Sequence, residues 1–452
     1  MVRRFAFLPL IALISAQAQA QTDPAAPGRI KAALAVPTAS PQPGCAVGIF
    51  RNGKPAEMVN AGFADIEGGL EIKSSTQFYA ASVAKQFTSV AVMQQVVAGK
   101  IRLDADIRTY LPELPQYPQV VTVQMLLNMT GGVRDSLTLL GLEGYDALTE
   151  STRAKALAGV YLQPDTKFAP GTEYDYSNGG YLLASEIVER VTGTSFEKYV
   201  NDKVLKPLGM TRSVVMLGAR TGATDVAKGY VAKDGTVTLA NEFPLFGGSG
   251  GLVTTIEDLG KWAKDIDNGH KVWTPAITKL MTQAGVFADG TPALRGGYGI
   301  AYGNGLLIGP NWFHHTGGAG GFKTLFGYNP GTRVAVALLC NNGDYDPGTK
   351  ADAVVAALNE GLPPISEPSH AIEALNGRYK VANLVATYAL AANKDAITLT
   401  AERPDGKRGE PMVFKRVQGV YRSGPNELTI DDNGAGFTLA VPRITLHFDK
   451  VK

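Results

Sequence analysis

Cysteine is almost absent from this chain of 452 residues, which contains only Cys45 and Cys340. Two cysteines cannot build a multiple-disulfide framework, and the C-x-x-C spacing of redox and zinc sites is missing. Histidine is also scarce: of five residues only His314 and His315 adjoin, and neighbours on a strand point to opposite faces. The sequence therefore predicts no metal site.

A strong charge of either sign is missing too. The formal net charge is +2 and no basic run is interleaved with aromatic residues, so we expect no nucleic-acid partner. No G-x-x-x-x-G-K-[ST] sequence is present to hold a nucleotide phosphate, and we expect no cofactor. Hydrophobic residues make up 45% of the chain, which is ordinary for a globular protein with a packed core.

The N-terminus resembles a secretory signal. Met-Val-Arg-Arg is followed by an apolar stretch from Phe5 to Ala16 and by the small-x-small site Ala18-Gln-Ala20. A structural helix or a membrane anchor is the alternative, but the stretch is shorter than the roughly 20 residues that span a bilayer. We predict a signal peptide over residues 1–20, cleavage near Ala20 and a periplasmic or secreted protein with no integral membrane segment.

A proline-rich break divides the rest of the chain. Gly-Leu-Pro-Pro-Ile-Ser-Glu-Pro-Ser begins at Gly361, and beyond it short alternating strands follow one another between turn residues. The pattern indicates a large domain over residues 21–362, a linker over 363–370 and a small all-β barrel or sandwich over 371–452.

Ser82-Val-Ala-Lys85 is the most informative stretch of the large domain. Residues i and i+3 lie on one face of a helix, so the amine of Lys85 can reach the hydroxyl of Ser82. A serine becomes nucleophilic when a nearby base takes its proton, and lysine can be that base if burial lowers its pKa. Alone, this short motif is weak evidence for catalysis, because a serine that begins a helix and a solvent-exposed lysine three residues later would have the same sequence.

Two further clusters strengthen it: Tyr176-Ser-Asn178 and His315-Thr-Gly317. With Ser82 and Lys85, in this order, they resemble the three motifs of the serine β-lactamase and penicillin-binding-protein superfamily. The Tyr-x-Asn form is similar to the class C β-lactamase and D-peptidase branch, and the resemblance covers roughly residues 30–360. It implies an α+β fold, with an antiparallel sheet flanked by helices and a helical subdomain. By analogy with relatives, the C-terminal β domain is expected to be a lipocalin-like barrel.

The resemblance also implies roles. Ser82 would form an acyl-enzyme, and Lys85 and Tyr176 would share the general-base role, with the choice between them open. Asn178 would bind the substrate and hold Lys85, with Thr316 and Gly317 also lining the substrate. The oxyanion donors would be the backbone N–H groups of Ser82 and Gly318.

His315 departs from the lysine of the Lys-Thr-Gly form. Histidine has an unperturbed pKa of about 6.5 and is mostly neutral at pH 7, so it offers a substrate carboxylate less charge. This makes efficient β-lactam hydrolysis doubtful. His314 is expected to face the other side of the strand and to be structural.

In this fold the strands that carry Cys45 and Cys340 would be antiparallel neighbours, and an exported compartment would permit a disulfide. Both residues lie in apolar strand sequences, where a free cysteine behaves as a small hydrophobic residue. We expect two free thiols.

Four functions compete on these residues. The leading prediction is a serine hydrolase that cleaves amide bonds of short or D-residue-containing peptides. A carboxylesterase or a β-lactamase would use the same tetrahedral intermediate. An acylatable penicillin-binding sensor, in which deacylation is blocked, is the alternative outside the enzymes. Every version takes a small molecule or short peptide as partner.

Overall fold

The fold is described from a computed structural model of the chain. It describes residues 23–451 apart from 39, 147–149, 217–225, 234–235, 241–246, 294–299, 367–374, 382–383, 394–395, 418–419, 425, 431–435 and 442–443. The predicted signal peptide and the second half of the predicted linker therefore lie outside the described residues.

Helices occupy the middle of the large domain and both of its ends. They are α1 Ala26–Leu34, α2 Ala84–Val97, α3 Val123–Leu127, α4 Ser136–Leu142, α5 Arg153–Tyr161, α6 Asn178–Thr192, α7 Phe196–Val200, α8 Lys206–Leu208, α9 Ile256–Lys264, α10 Pro275–Met281 and α11 Pro347–Ala357. Short 3₁₀ turns lie at Ala81–Val83 and Ile107–Thr109, and π turns at Asn201–Leu205 and Asp265–Gly269.

The strands of the large domain come mainly from its two ends. They are β1 Cys45–Arg51, β2 Lys54–Ala61, β3 Phe63–Asp65, β4 Leu70–Glu71, β5 Phe78–Tyr79, β6 Val214–Val215, β7 Tyr230–Lys233, β8 Thr236–Leu239, β9 Leu252–Thr254, β10 Ala301–Tyr302, β11 Leu307–Ile308, β12 Phe313–Ala319, β13 Phe322–Asn329 and β14 Val334–Cys340. Seven of them form one antiparallel sheet in the order β10-β11-β12-β13-β14-β1-β2.

Two apolar clusters cover the two faces of this sheet. Helices α1 and α11 pack on one face, over a cluster that includes Ile30, Leu325 and Val354. The other face carries α9 and belongs to the larger cluster, which continues into α2 and α6. This arrangement brings the 3₁₀ turn Ala81–Val83, which precedes α2, against β12.

The disulfide between Cys45 and Cys340 corrects the expectation of two free thiols, which is wrong. The register of β1 and β14 places the two residues directly opposite each other. Both side chains are fully buried on the α1–α11 face, so the bridge ties the first strand of the sheet to the last strand in sequence.

The C-terminal strands close into a barrel, β15 through β22, in which β15 pairs with β22. Their bounds are β15 Gly377–Lys380, β16 Thr387–Asn393, β17 Ala396–Glu402, β18 Met412–Val417, β19 Val420–Ser423, β20 Asn426–Ile430, β21 Gly436–Val441 and β22 Ile444–Lys450. The predicted fold class, α+β with a small all-β barrel, is confirmed.

The first residues of the predicted linker pack against the large domain. The indole N–H of Trp312 donates to the carbonyl oxygen of Pro363 at 3.0 Å. The carboxylate of Asp352 accepts the backbone N–H groups of Ile365 and Ser366, and Ile365 is buried. These contacts attach the first residues of the predicted linker to the large domain, and the boundary at residue 362 stays a prediction.

Candidate active site

Ser82 lies in the 3₁₀ turn that leads directly into α2. The residue before it, Ala81, has a φ of 47°, a left-handed conformation that costs an alanine about 1–2 kcal/mol. Hydrogen bonds hold this turn: Ala80 N–H donates to Leu252 O at 2.8 Å, and Val83 N–H donates to Ala80 O at 3.2 Å. The strained backbone thus sits next to the candidate nucleophile, where a rigid surrounding maintains it.

Lys85 is fully buried, and its amine has three hydrogen-bond partners. The Nζ atom lies 3.2 Å from Ser82 Oγ, 2.8 Å from Asn178 Oδ1 and 2.7 Å from the carbonyl oxygen of Ser249. Burial lowers the pKa of Lys85 to about 7, and the negative charge of Asp135 opposes this shift. Near neutral pH the amine can therefore be uncharged and accept a proton.

Tyr176 is the second group in contact with Ser82. Its hydroxyl lies 2.8 Å from Ser82 Oγ, and its ring lies 4.8 Å from Lys85 Nζ. The serine oxygen therefore has two proton-handling neighbours. Each is within reach of the atom whose proton must leave.

Asp135 sets the direction of the Asn178 amide. One carboxylate oxygen, Oδ2, accepts both the backbone N–H and the side-chain N–H of Asn178, each at 2.8 Å. The other oxygen, Oδ1, caps α4 by accepting Thr138 N–H at 2.8 Å. With its Nδ2 turned to Asp135, Asn178 must point its oxygen at Lys85, and its binding of a substrate stays a prediction.

Strand β12 presents alternate residues to the two faces of the sheet. His315 and Gly317 face the serine: a Cβ at Gly317 would lie 2.4 Å from Ala80 O and 3.0 Å from Ser82 N. Glycine is therefore required at 317 by the protein's own backbone. Thr316 lies on the opposite face, and its direct contact with a substrate stays a prediction.

The hairpin after β12 directs the backbone of Gly318 toward the cleft. Gly320 and Gly321 both have positive φ, 55° and 79°, as in a two-residue type I′ turn between Ala319 and Phe322. The pair flanking such a turn is hydrogen-bonded and the next pair is not. Gly318, in that next pair, therefore turns its N–H to the strand edge that β11 leaves open beyond residue 314.

His315 is buried and both of its ring nitrogens have partners. Nδ1 donates to the carbonyl oxygen of Thr316 at 2.5 Å, and Nε2 lies 2.9 Å from the hydroxyl of Tyr302. The ring also lies 6.5 Å from that of Tyr176, centroid to centroid. His314, by contrast, lies on the other face beside Gly327 and close to Ile365, as its expected structural role requires.

The structure thus brings together Ser82, Lys85, Tyr176, Asn178, His315 and Gly317, with Gly318 at the strand edge. Three participants were missed from the sequence: Asp135, Ser249 and Tyr302. Asp135 could have been found as the N-cap of the helix that starts at Ser136, because aspartate is favoured there. Ser249 acts through its backbone, and Tyr302 sits in apolar sequence, so neither leaves a signal.

A family model described as Beta-lactamase matches residues 33–360, which is more than half of the chain. The chain belongs to the beta-lactamase family. This beta-lactamase-family chain is 28% identical over 364 residues to a D-aminopeptidase of Gluconobacter oxydans, a match that covers 78% of this chain and 66% of that protein. The chain thus spans slightly less than two thirds of that relative.

Solved structures show the same fold. An octameric penicillin-binding protein homologue from Pyrococcus abyssi matches with a TM-score of 0.65 and 25% identity, over 90% of this chain and 96% of that one. A D-amino acid amidase from Ochrobactrum anthropi SV3 matches with a TM-score of 0.63 and 23% identity, over 75% and 99%. EstCE1, a hydrolase with promiscuous acyltransferase activity, matches with a TM-score of 0.62 and 20% identity, over 74% and 98%.

Within the described residues, no helix is long and apolar enough to cross a membrane. The same part of the chain contains no group of three or more His, Cys, Asp or Glu side chains placed to hold a metal ion.

Proposed function

We propose that this chain is an exported hydrolase that cleaves amide bonds of short or D-residue-containing peptides through an acyl-enzyme on Ser82. The observation that carries the proposal is the position of Ser82 Oγ, 3.2 Å from the buried amine of Lys85 and 2.8 Å from the hydroxyl of Tyr176. Export rests on the N-terminal sequence alone.

Lys85 is the proposed general base. With a pKa of about 7 it is partly uncharged at neutral pH, and it can take the Ser82 proton as Oγ attacks the substrate carbonyl. The backbone N–H groups of Ser82 and Gly318 hold the oxyanion. Tyr176 gives its hydroxyl proton to the leaving amine and regains one from Lys85, which thereby returns the proton of Ser82. Water then attacks the acyl-enzyme and gives a proton to Lys85, and Ser82 Oγ takes that proton back as the acid product leaves.

The proposed preference for amides is based on the similarity to two proteins, a D-aminopeptidase and a D-amino acid amidase. The site itself does not discriminate an ester from an amide, because both pass through the same tetrahedral intermediate. A carboxylesterase is the second candidate, favoured by the likeness to EstCE1.

Covalent labelling tests the nucleophile. Ser82→Ala should abolish both turnover and labelling by a fluorophosphonate probe. Ser177→Ala is the matched control, because Ser177 caps α6 by accepting Gly180 N–H at 3.1 Å. This variant should still be labelled at Ser82. Labelling that survives Ser82→Ala would overturn the assignment. Turnover of D-alanine p-nitroanilide, a p-nitrophenyl ester and nitrocefin then separates amidase, esterase and β-lactamase, and labelling without turnover indicates a sensor.

The pH profile tests the base. If uncharged Lys85 takes the proton, kcat/KM should rise through a limb near pH 7 and reach a plateau above it. If instead a charged Lys85 supports a Tyr176 phenolate, activity should fall as pH rises through the same range. The direction of the limb decides between them.

A further inference from the structure

Thr324 connects the sheet to the turn that carries the candidate nucleophile. It lies on β13, is fully buried, and is directly opposite Gly317 in the register of the hairpin. Its hydroxyl donates to the carbonyl oxygen of Ala80 at 2.7 Å. Thr324 is therefore on the serine face of the sheet, and it binds the backbone two residues before Ser82.

The carbonyl group that Thr324 binds directly precedes the strained residue of the turn. Ala80 O also accepts Val83 N–H at 3.2 Å, so two donors fix the plane of the peptide between Ala80 and Ala81. Ala81 follows with a φ of 47°. A rotation of that peptide plane would let Ala81 leave the left-handed region. The net free energy of one hydrogen bond is of the same order as the strain of one left-handed alanine, so the loss of one bond is enough to shift the balance.

The backbone N–H of Ser82 lies in the same packed contact. The position of a Cβ at Gly317 would be 3.0 Å from Ser82 N and 2.4 Å from both Ala80 O and Thr324 Oγ1. The turn, β12 and the hydroxyl of Thr324 thus meet at one point. Gly318, whose N–H is the other proposed oxyanion donor, is the next residue along β12. The hydroxyl of Thr324 therefore sets the position of one proposed donor relative to the other.

We propose that Thr324 is a positioning residue of the oxyanion site: its hydroxyl holds Ala81 in the left-handed conformation and so directs the N–H of Ser82 at the developing oxyanion. This inference rests on the proposed function and deepens it, because it adds a residue outside the three sequence motifs to the same site. Thr324 acts through the backbone and not on a reacting atom. The direction of a preorganised donor matters most in the transition state, where the negative charge develops.

Three substitutions at Thr324 test this, with the rate of fluorophosphonate labelling and with kcat and KM on D-alanine p-nitroanilide or a p-nitrophenyl ester. Thr324→Val removes the hydroxyl and should lower kcat and the labelling rate by about 10²-fold, the lower end of the loss of one oxyanion donor. KM should change by less than about twofold, because acylation and deacylation both use the oxyanion site. Thr324→Ala, which places no methyl group against the carbonyl, should lose activity similarly. Thr324→Ser retains the hydroxyl and should keep kcat within about threefold of wild type.

Thr192→Val is the matched control. Thr192 donates to Val188 O at 2.7 Å, the same length as the bond of Thr324, at the C-terminal end of α6. It should lower stability in denaturant but leave kcat, KM and the labelling rate unchanged. Equal losses of kcat in Thr324→Val and Thr324→Ser, or an unchanged labelling rate in Thr324→Val, would overturn the inference alone. A wild-type chain that is not labelled at Ser82 would overturn the proposed function and this inference with it.

Discussion

The catalytic domain and the barrel bury different kinds of residue. Helix α2 alone buries five polar side chains, Lys85, Gln86, Thr88, Ser89 and Gln95. Among the described barrel residues, the buried side chains are apolar or aromatic except Glu402, which pairs with Arg378 and Arg408. A buried polar group requires partners, so the catalytic interior is specified by hydrogen bonds and the barrel interior by packing.

The partners in α2 come from distant parts of the chain. Gln86 accepts the indole N–H of Trp262 at 3.2 Å, and Thr88 donates to the carbonyl oxygen of Gly248 at 2.6 Å. These bonds fix the helix that begins directly after the turn of the candidate nucleophile. The barrel needs no such network, because its strands close on themselves and leave no open edge.

The largest expected effect is a loss of activity, and it comes from a substitution in the polar interior of the catalytic domain that affects stability differently. Lys85→Met should lower kcat/KM by about 10⁴-fold, since it removes the proposed base. The folded pKa of about 7 lies below the ordinary 10.5, so the folded state holds this proton less tightly than the unfolded state does. The buried lysine therefore destabilises the folded wild-type protein. This destabilisation is complete below pH 7, disappears as pH rises toward 10.5, and has an upper limit of about 5 kcal/mol.

Lys85→Met should therefore be more stable, relative to wild type, at pH 6 than at pH 10. Denaturant unfolding at the two pH values measures the difference. A variant destabilised equally at both would show that the lysine is charged at little cost in the folded protein.

A substitution in the apolar core of the barrel should instead lower stability and leave the reactivity of Ser82 nearly unchanged. Phe437 is buried, and its ring stacks on Phe448 at 4.8 Å between centroids. Phe437→Ala should destabilise the barrel by about 3–5 kcal/mol, the cost of an aromatic core truncation. Labelling of Ser82 should change by less than about twofold, because the described site residues all precede the linker. Loss of labelling in the variant, with the catalytic domain still folded by circular dichroism, would mean that the barrel completes the site.

The disulfide provides a third contrast, because the bridge belongs to the catalytic domain alone. Replacing Cys45 and Cys340 together by Ala should lower the stability of that domain by about 3 kcal/mol and leave the barrel transition unchanged. A thiol count in denaturant before reduction should give zero. Two free thiols in that count would restore the expectation drawn from the sequence.

Much of the fold and the site was predictable, for local reasons. The helix that contains Lys85 and the hairpin strands around the third motif follow from residue spacing. Spacing also predicts the C-terminal strands, but their closure into a barrel was expected only by analogy with relatives. The interactions that orient the site were not predictable, because Asp135 and Asn178 meet across 43 residues. The prediction of two free thiols failed for a similar reason. Apolar neighbours indicate that the cysteines are buried, whereas only the strand register shows that the two residues face each other.

The smallest expected effect concerns Asp135, whose carboxylate serves two helix N-termini and holds Asn178 toward Lys85. In Asp135→Asn the charge that opposes the lowered pKa of Lys85 is gone, and an amide N–H replaces one acceptor. The limb of kcat/KM near pH 7 should move to lower pH, and the plateau should fall by about tenfold as Asn178 loses its orientation.

Asp346→Asn is the matched control for capping. Asp346 is the N-cap of α11 and accepts Thr349 N–H at 2.7 Å, so the change removes the charge of a comparable cap outside the described contacts of the site. Asparagine caps a helix about as well as aspartate, so Asp346→Asn should cost less than about 1 kcal/mol of stability and leave the limb in place, whereas Asp135→Asn should move it. If Asp135→Asn lowers stability alone and leaves the limb in place, Asp135 is a helix cap and Lys85 is tuned by burial without it.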